Sequence, residues 1–177
     1  MFSTAPSDLM IAAVTQTLAE LLSAGSSSID PEHIHIGSPR SQSKQNAGLN
    51  LYCYDLRARS ATLADRATEA VPESFAISFL ISAWGFTALG EQQILSDALL
   101  LLWKYRVLPD GVLAPTLRGR GQLRLHVATE EQVDLPGLWL ALGVPLRPSL
   151  SVKVIVPTHR QTAPSLKRSP SAALAPP

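Results

Sequence analysis

The sequence predicts an α+β domain: a mixed or antiparallel central sheet with two main helices packed on it and one short helix. Three observations predict it. Phe75, Ile77, Phe79, Ile81 and Ala83 alternate with Ala76, Ser78, Leu80, Ser82 and Trp84, the period of a strand with a well-buried face. The period then lengthens, and Leu89, Ile94, Leu95, Ala98, Leu99, Leu101 and Leu102 recur at helical spacing. Around this strand–helix unit the chain reads helix, strand, strand before it and strand, short helix, strand after it.

The elements follow from local signals. Residues 1–7 are expected to be a disordered lead, residues 8–157 the domain, and residues 158–177 a Pro-, Ser- and Ala-rich basic tail. Ser7 or Asp8 can cap a helix running to about Ala24, with Ile11, Val14, Leu18 and Leu21 as its buried stripe and Gly25 as its stop. His33-Ile34-His35-Ile36 alternates as a short strand, and Ser38 to Gly48 is a polar loop. Leu49 to Leu56 forms the next strand, with Leu49, Leu51 and Cys53 on one face and Asn50, Tyr52 and Tyr54 on the other. Two aromatic residues on the second face predict that it is covered too. Arg57 to Pro72 reads as a second polar loop. Thr87 or a neighbour can cap the long helix that follows, and Leu108-Pro109-Asp110-Gly111 breaks it.

Val112 to Leu117 is a connector, and Arg118-Gly119-Arg120-Gly121 is a tight basic turn. It enters a strand in which Leu123, Leu125 and Val127 alternate with Arg124, His126 and Ala128. Leu135, Leu138, Trp139 and Leu142 form the short amphipathic helix, with Pro136 in its first turn, Glu130-Glu131 ahead of it and Gly143 at its end. In the last strand Leu150, Val152, Val154 and Val156 alternate with Ser151, Lys153 and Ile155 until Pro157. The tail beyond cannot bury enough apolar surface to fold alone.

Composition narrows the function. The net charge of +1 argues against a general nucleic-acid binder. Charge is unevenly spread: Asp8, Glu20, Asp30 and Glu32 precede the first basic residue, while Arg160, Lys167 and Arg168 have no acidic companion. An acidic start and a basic end can attract one another between neighbouring subunits. Cys53 is the single cysteine, so no internal disulfide forms, and its place in an apolar strand predicts a buried thiol. The apolar run Ala98 to Trp103 is too short to span a membrane.

No pattern for catalysis stands out. The glycines form no phosphate-binding or dinucleotide motif, and there is no Gly-x-Ser-x-Gly elbow. His33 and His35 would project from one strand face, but His126 and His159 are isolated and complete no metal site. Trp84, Trp103 and Trp139 all fall in patterned segments and read as core residues. No enzyme activity, cofactor or metal is expected.

Several strings, in order, resemble one family. They are Met10-Ile11 opening a helix with Leu18, Leu21 and Leu22; Leu49-Asn50-Leu51-Tyr52-Cys53-Tyr54; and Phe79-Leu80-Ile81-Ser82-Ala83-Trp84 followed by Glu91-Gln92-Gln93-Ile94-Leu95. Leu138-Trp139-Leu140-Ala141-Leu142 ahead of Arg147-Pro148-Ser149-Leu150-Ser151-Val152 completes them. From Met10 to about Pro157 the chain resembles the N-terminal domain of the cap proteins of phage-tail-like contractile injection systems. The resemblance implies a phage tail-terminator-like fold and a structural protein. It implies a homo-oligomeric ring, usually a hexamer, that ends the inner tube and contractile sheath at the baseplate-distal end and stabilises the particle. Implied partners are sheath and inner-tube subunits, with no nucleic acid and no membrane insertion. The implied location is the cytoplasm during assembly, within a particle that is released or membrane-tethered. Candidate partner contacts are Arg57, Arg59, Arg118 and Arg120 in the loops, Arg124 at the start of the following strand, and Arg160, Lys167 and Arg168 in the tail. The competing reading is a small nucleic-acid-binding or adaptor module using the Arg-Gly turn and the basic tail. The apolar outer side of the long helix adds an expectation: that helix, or the outer face of its strand, is buried against something else.

Overall fold

The computed structural model describes residues 10–25, 29, 31–39, 47–60, 72–128 and 133–158. The expected lead, the Ser7 or Asp8 cap, Glu130-Glu131, Arg160, Lys167 and Arg168 lie outside them. The elements are α1 (Met10–Gly25), β1 (Ile34–Ile36), β2 (Gly48–Arg59), β3 (Ser74–Trp84), α2 (Ala88–Lys104), β4 (Arg124–Val127), α3 (Leu135–Leu142) and β5 (Ser149–Pro157). This is the order that the periodicities predict. Short 3-10 turns at Pro31–His33, Asp110–Val112 and Pro115–Leu117 occupy the connectors. Among the described residues the sheet runs β1-β2-β3-β5-β4. The β1–β2 pair is parallel and the other pairs are antiparallel, so the sheet is mixed.

Side chains two apart on each strand share a face. On one face Leu49, Leu51, Ile77, Phe79, Ile81, Leu125, Val127, Val152 and Val154 meet Val14, Leu18, Leu21 and Leu22 of α1 and Ile94, Leu95, Ala98 and Leu102 of α2. Each such side chain contributes on the order of 1.5–3 kcal/mol by leaving water. The end of α1 packs onto α2 where Gly25 meets the Leu101 side chain; a Cβ on Gly25 would collide with the Leu101 methyls. Thr17 ties this layer to the loop below it. Its hydroxyl donates to the Ala13 carbonyl (2.8 Å) and accepts the Ala114 amide (3.0 Å), all in the interior. Thr17→Val should therefore lower stability by about 1–3 kcal/mol, because it leaves the Ala114 amide buried and unpaired. Urea unfolding at unchanged slope reads this loss directly.

Three expectations are corrected. First, β2 does not stop at Leu56 but runs to Arg59, so Arg57 to Arg59 are strand rather than loop. A bulge at Tyr54 makes this possible: Cys53 pairs with Phe79 while Asp55 pairs with Ser78. One extra residue reverses the facing of everything after it. Asp55, Arg57 and Arg59 thus reach the solvent side, where strict alternation would have sent them into the core. Second, Ile11 and Leu89 belong to the predicted buried stripes yet are exposed. Leu89 points away from Ile94, Ala98 and Leu102 around the helix, and Ile11 lies in the first turn, beyond the packed region. Third, Trp103 is 52% exposed rather than a core residue, and Trp84 is half-buried.

The second sheet face is covered in part, as the tyrosines predict. Leu80 on β3 and Trp139 on α3 are both fully buried, yet neither belongs to the core of α1 and α2. Ala76, Ser78 and Ser82 of the same face are buried as well, and the Tyr54 hydroxyl lies 3.3 Å from Ser151 Oγ, in hydrogen-bond reach. A second, thinner layer therefore sits under α3. Its entry is locally encoded: Asp134 accepts the Gly137 amide (3.0 Å), Pro136 occupies the first turn, and Gly143 closes the helix at φ 69°. A Cβ on Gly137 would run into the Asp134 carboxylate, so a larger residue there would displace the capping side chain.

Candidate functional site

Cross-strand register gathers three of the predicted arginines on one surface. Arg57 pairs with Ala76, Ala76 with Ile155, and Ile155 with Arg124. One row up, Asp55 pairs with Ser78, Ser78 with Lys153, and Lys153 with His126. Partners across a ladder share a face. Arg57, Arg59, Arg124, Lys153 and His126 therefore lie on the half of the outer sheet face next to the α3 layer. Arg59 and Arg124, with Glu73 and Gln122, line a polar cavity of about 650 Å³. Arg57 and Lys153, with Asp55, Tyr54 and Asp134, line a smaller one of about 210 Å³.

The charges on this face are mixed. Arg57 Nε sits 2.7 Å from Asp55 Oδ2, an exposed pair that adds little stability but orients the guanidinium. Burial pushes the Lys153 ammonium pKa down, and the nearby Arg57 and Arg59 push it further, against the pull of Asp55. Of the ammonium and guanidinium groups here, Lys153 is the one that sequence reasoning missed. Its signal was present, since it alternates with the buried Val152 and Val154 and so must face outward.

The Arg-Gly turn is built differently. Arg118 Nε donates to the Leu113 carbonyl (3.1 Å). Arg120 donates through Nε to Thr116 (3.1 Å) and through Nη1 to the Thr158 carbonyl (3.4 Å). Gly119 and Gly121 adopt φ of 77° and 90°, the left-handed region that glycine enters without strain. Both arginines brace the backbone of the turn, and Arg120 ties it to the end of β5. Only Arg124 of that trio lies on the sheet face.

A second surface is apolar. Thr87 caps α2 by accepting the Gly90 amide. On the outward side of the helix Leu89 is 76% exposed and Leu100 is 70% exposed, with Phe86 exposed just before the helix and Trp103 near its end. Gln93 and Ser96 lie between them on the same side and are exposed. This side lies opposite the buried Ile94, Ala98 and Leu102, so the helix is apolar on two sides, as its sequence predicts. The helix is also tied to the segment leading into β5: Glu91 accepts the Gly85 amide (3.2 Å) and faces Arg147 at 3.6 Å. That ion pair joins two of the strings that carry the family resemblance.

Cys53 lies at the edge of the core, half-buried, and burial raises its pKa above the usual thiol range, keeping it protonated at neutral pH. Among the described residues, no group of three or more His, Cys, Asp or Glu side chains is placed to hold a metal ion. Nor is any helix among them long and apolar enough to cross a membrane.

Comparison with known proteins follows the fold. No curated protein matches the chain. Among solved structures, it is similar to the sheath/tube terminator of the extracellular contractile injection system PVC in its extended state. The TM-score is 0.59 at 21% identity, over 94% of this chain and 65% of that one. It is also similar to the tube-terminating cap of the anti-feeding prophage, with a TM-score of 0.55 at 18% identity, over 93% of this chain and 60% of that one. The chain thus spans less than two thirds of each of these proteins and shares its fold with them. A family model, that of the Pvc16 N-terminal domain, matches residues 13–172, nearly the whole chain, and the chain belongs to that family.

Proposed function

We propose that this protein is a structural cap of a contractile injection system. It forms a ring, six-fold in our reading, that ends the inner tube and contractile sheath and stabilises the particle. The observation that carries this is membership of the Pvc16 N-terminal domain family across residues 13–172, on a fold shared with two terminator structures. The reading is structural rather than catalytic. The two helices and the sheet act as a rigid frame, and the contacts lie at its surface. The apolar outward side of α2 supplies the contact between ring subunits, because a stable ring needs a large complementary patch on each protomer. The mixed-charge sheet face at Arg57, Arg59, Arg124 and Lys153 supplies contacts to sheath or tube, where charge sets register and partner choice. The tail bearing Arg160, Lys167 and Arg168 adds a basic arm to the same task.

Co-expression with tube and sheath subunits tests the proposal. The expected result is the protein at one end of each particle by electron microscopy, and tubes of uncontrolled length when it is omitted. A protein that stays monomeric and never co-purifies with particles, with tube length unchanged by its omission, overturns it.

A further inference from the structure

The outer edge of β4 borders an apolar groove of about 530 Å³, lined by Leu102, Trp103, Arg106, Val107 and residues 124–128. Arg106 and Val107 already cover the start of that edge. The Leu125 amide donates to the Arg106 carbonyl (2.8 Å), and the Leu108 amide to the Leu123 carbonyl (2.9 Å). The Ala128 amide turns the other way, to Ser151 of β5 (2.9 Å). Alternation along a strand then directs the Val127 amide and carbonyl outward, on the same side as Leu125. Among the described residues no backbone group pairs with them.

Two features say what fits there. Leu125 and Val127 point to the core face, so a strand added beside them would present alternate side chains to the exposed Trp103 and Val107, above the buried Leu102. Its remaining side chains would share the opposite face with Arg124 and His126. Among the described residues no acidic side chain lines the groove, whereas Arg106 and Arg124 do. Arg106 is stacked on the Trp103 ring at 4.6 Å, which holds the aromatic wall in place.

We propose that this edge binds an extended segment of another protein by strand addition, and that the segment alternates apolar with acidic residues. The chain's own tail is a poor occupant because its charges are basic, like those of the rim. This inference goes beyond the capping reading and does not depend on particle assembly.

The test uses the full chain and three synthetic peptides: one alternating valine with glutamate, one alternating valine with lysine, and the valine–glutamate peptide with alternate amides N-methylated. Binding is read by fluorescence anisotropy, and the Val127 amide by NMR hydrogen exchange. The valine–glutamate peptide is expected to bind and to slow exchange at Val127. The lysine and N-methylated peptides should bind at least about tenfold more weakly, having lost charge complementarity or the strand ladder. Trp103→Ala should weaken binding by a similar factor, and Arg124→Glu should reverse the preference toward the lysine peptide. Equal binding of all three peptides, or no protection at Val127 when peptide is bound, overturns the proposal. So does failure of the valine–glutamate peptide to bind. A Val127 amide already protected without peptide, showing the edge filled by the tail or by a second copy, overturns it as well.

Discussion

Replacing Trp139 with alanine should lower folding stability by about 3–5 kcal/mol, the usual loss for a fully buried aromatic ring. Trp139 is 1% exposed and is the largest side chain of the layer between α3 and the sheet. That layer is thin, since α3 has only eight residues and no other fully buried side chain. Without the indole, little apolar area holds the helix down, so α3 should detach before the rest unfolds. Amide exchange across 135–142 should then rise well above that of β3 and α2, alongside a lower denaturant midpoint. Trp139→Phe separates packing from polarity. The indole Nε1 is buried without a hydrogen-bond partner among the described residues, and such a donor lowers stability by about 1–3 kcal/mol. Phenylalanine removes that penalty while keeping a ring, so its net loss should be much the smaller. A Trp139→Ala protein with wild-type midpoint and unchanged exchange would show that α3 is held by something else.

The second large effect concerns association rather than folding. Leu89→Lys with Leu100→Lys should leave the domain as stable as before, within about 0.5 kcal/mol per site, because both side chains are exposed in the single chain. Self-association should collapse. If each leucine is an anchor of about 2 kcal/mol, losing both weakens the contact by about a thousandfold. Sedimentation and particle imaging provide the readout: monomers of normal melting temperature, and tubes no longer capped. Leu89 and Leu100 do not line the β4 groove, so peptide binding there should survive the double substitution. A double variant that still forms the native oligomer would move the subunit contact to another surface.

The order of elements was legible because each has a local cause. Alternation in β3 and β5, helical spacing in α1 and α2, the Thr87 cap and the Gly143 stop all act within a few residues. The covered outer face was legible from Tyr52 and Tyr54, although nothing local said that α3 would cover it. Arg57 and Arg59 were legible as exposed charges but misplaced in a loop. A bulge has no sequence signature as strong as a cap, and its consequence appears only against the partner strand. The apolar outward side of α2 could be read, but the choice of which leucines were inside could not. That choice depends on where the sheet lies relative to the helix axis.

By itself, then, the sequence determined the fold class, the element order and the alternating faces, since these follow from propensities and periods acting along the chain. Tertiary structure alone decided the pairing order β1-β2-β3-β5-β4 and which arginines share a face. It also decided that Arg118 and Arg120 brace a turn while Arg124 does not, and that, among the described residues, the end of the β4 edge beside Trp103 has no backbone partner. Those outcomes depend on contacts between residues far apart in the chain. There, register, a single inserted residue at Tyr54 and the exclusion of water from one side of a helix decide what each side chain meets.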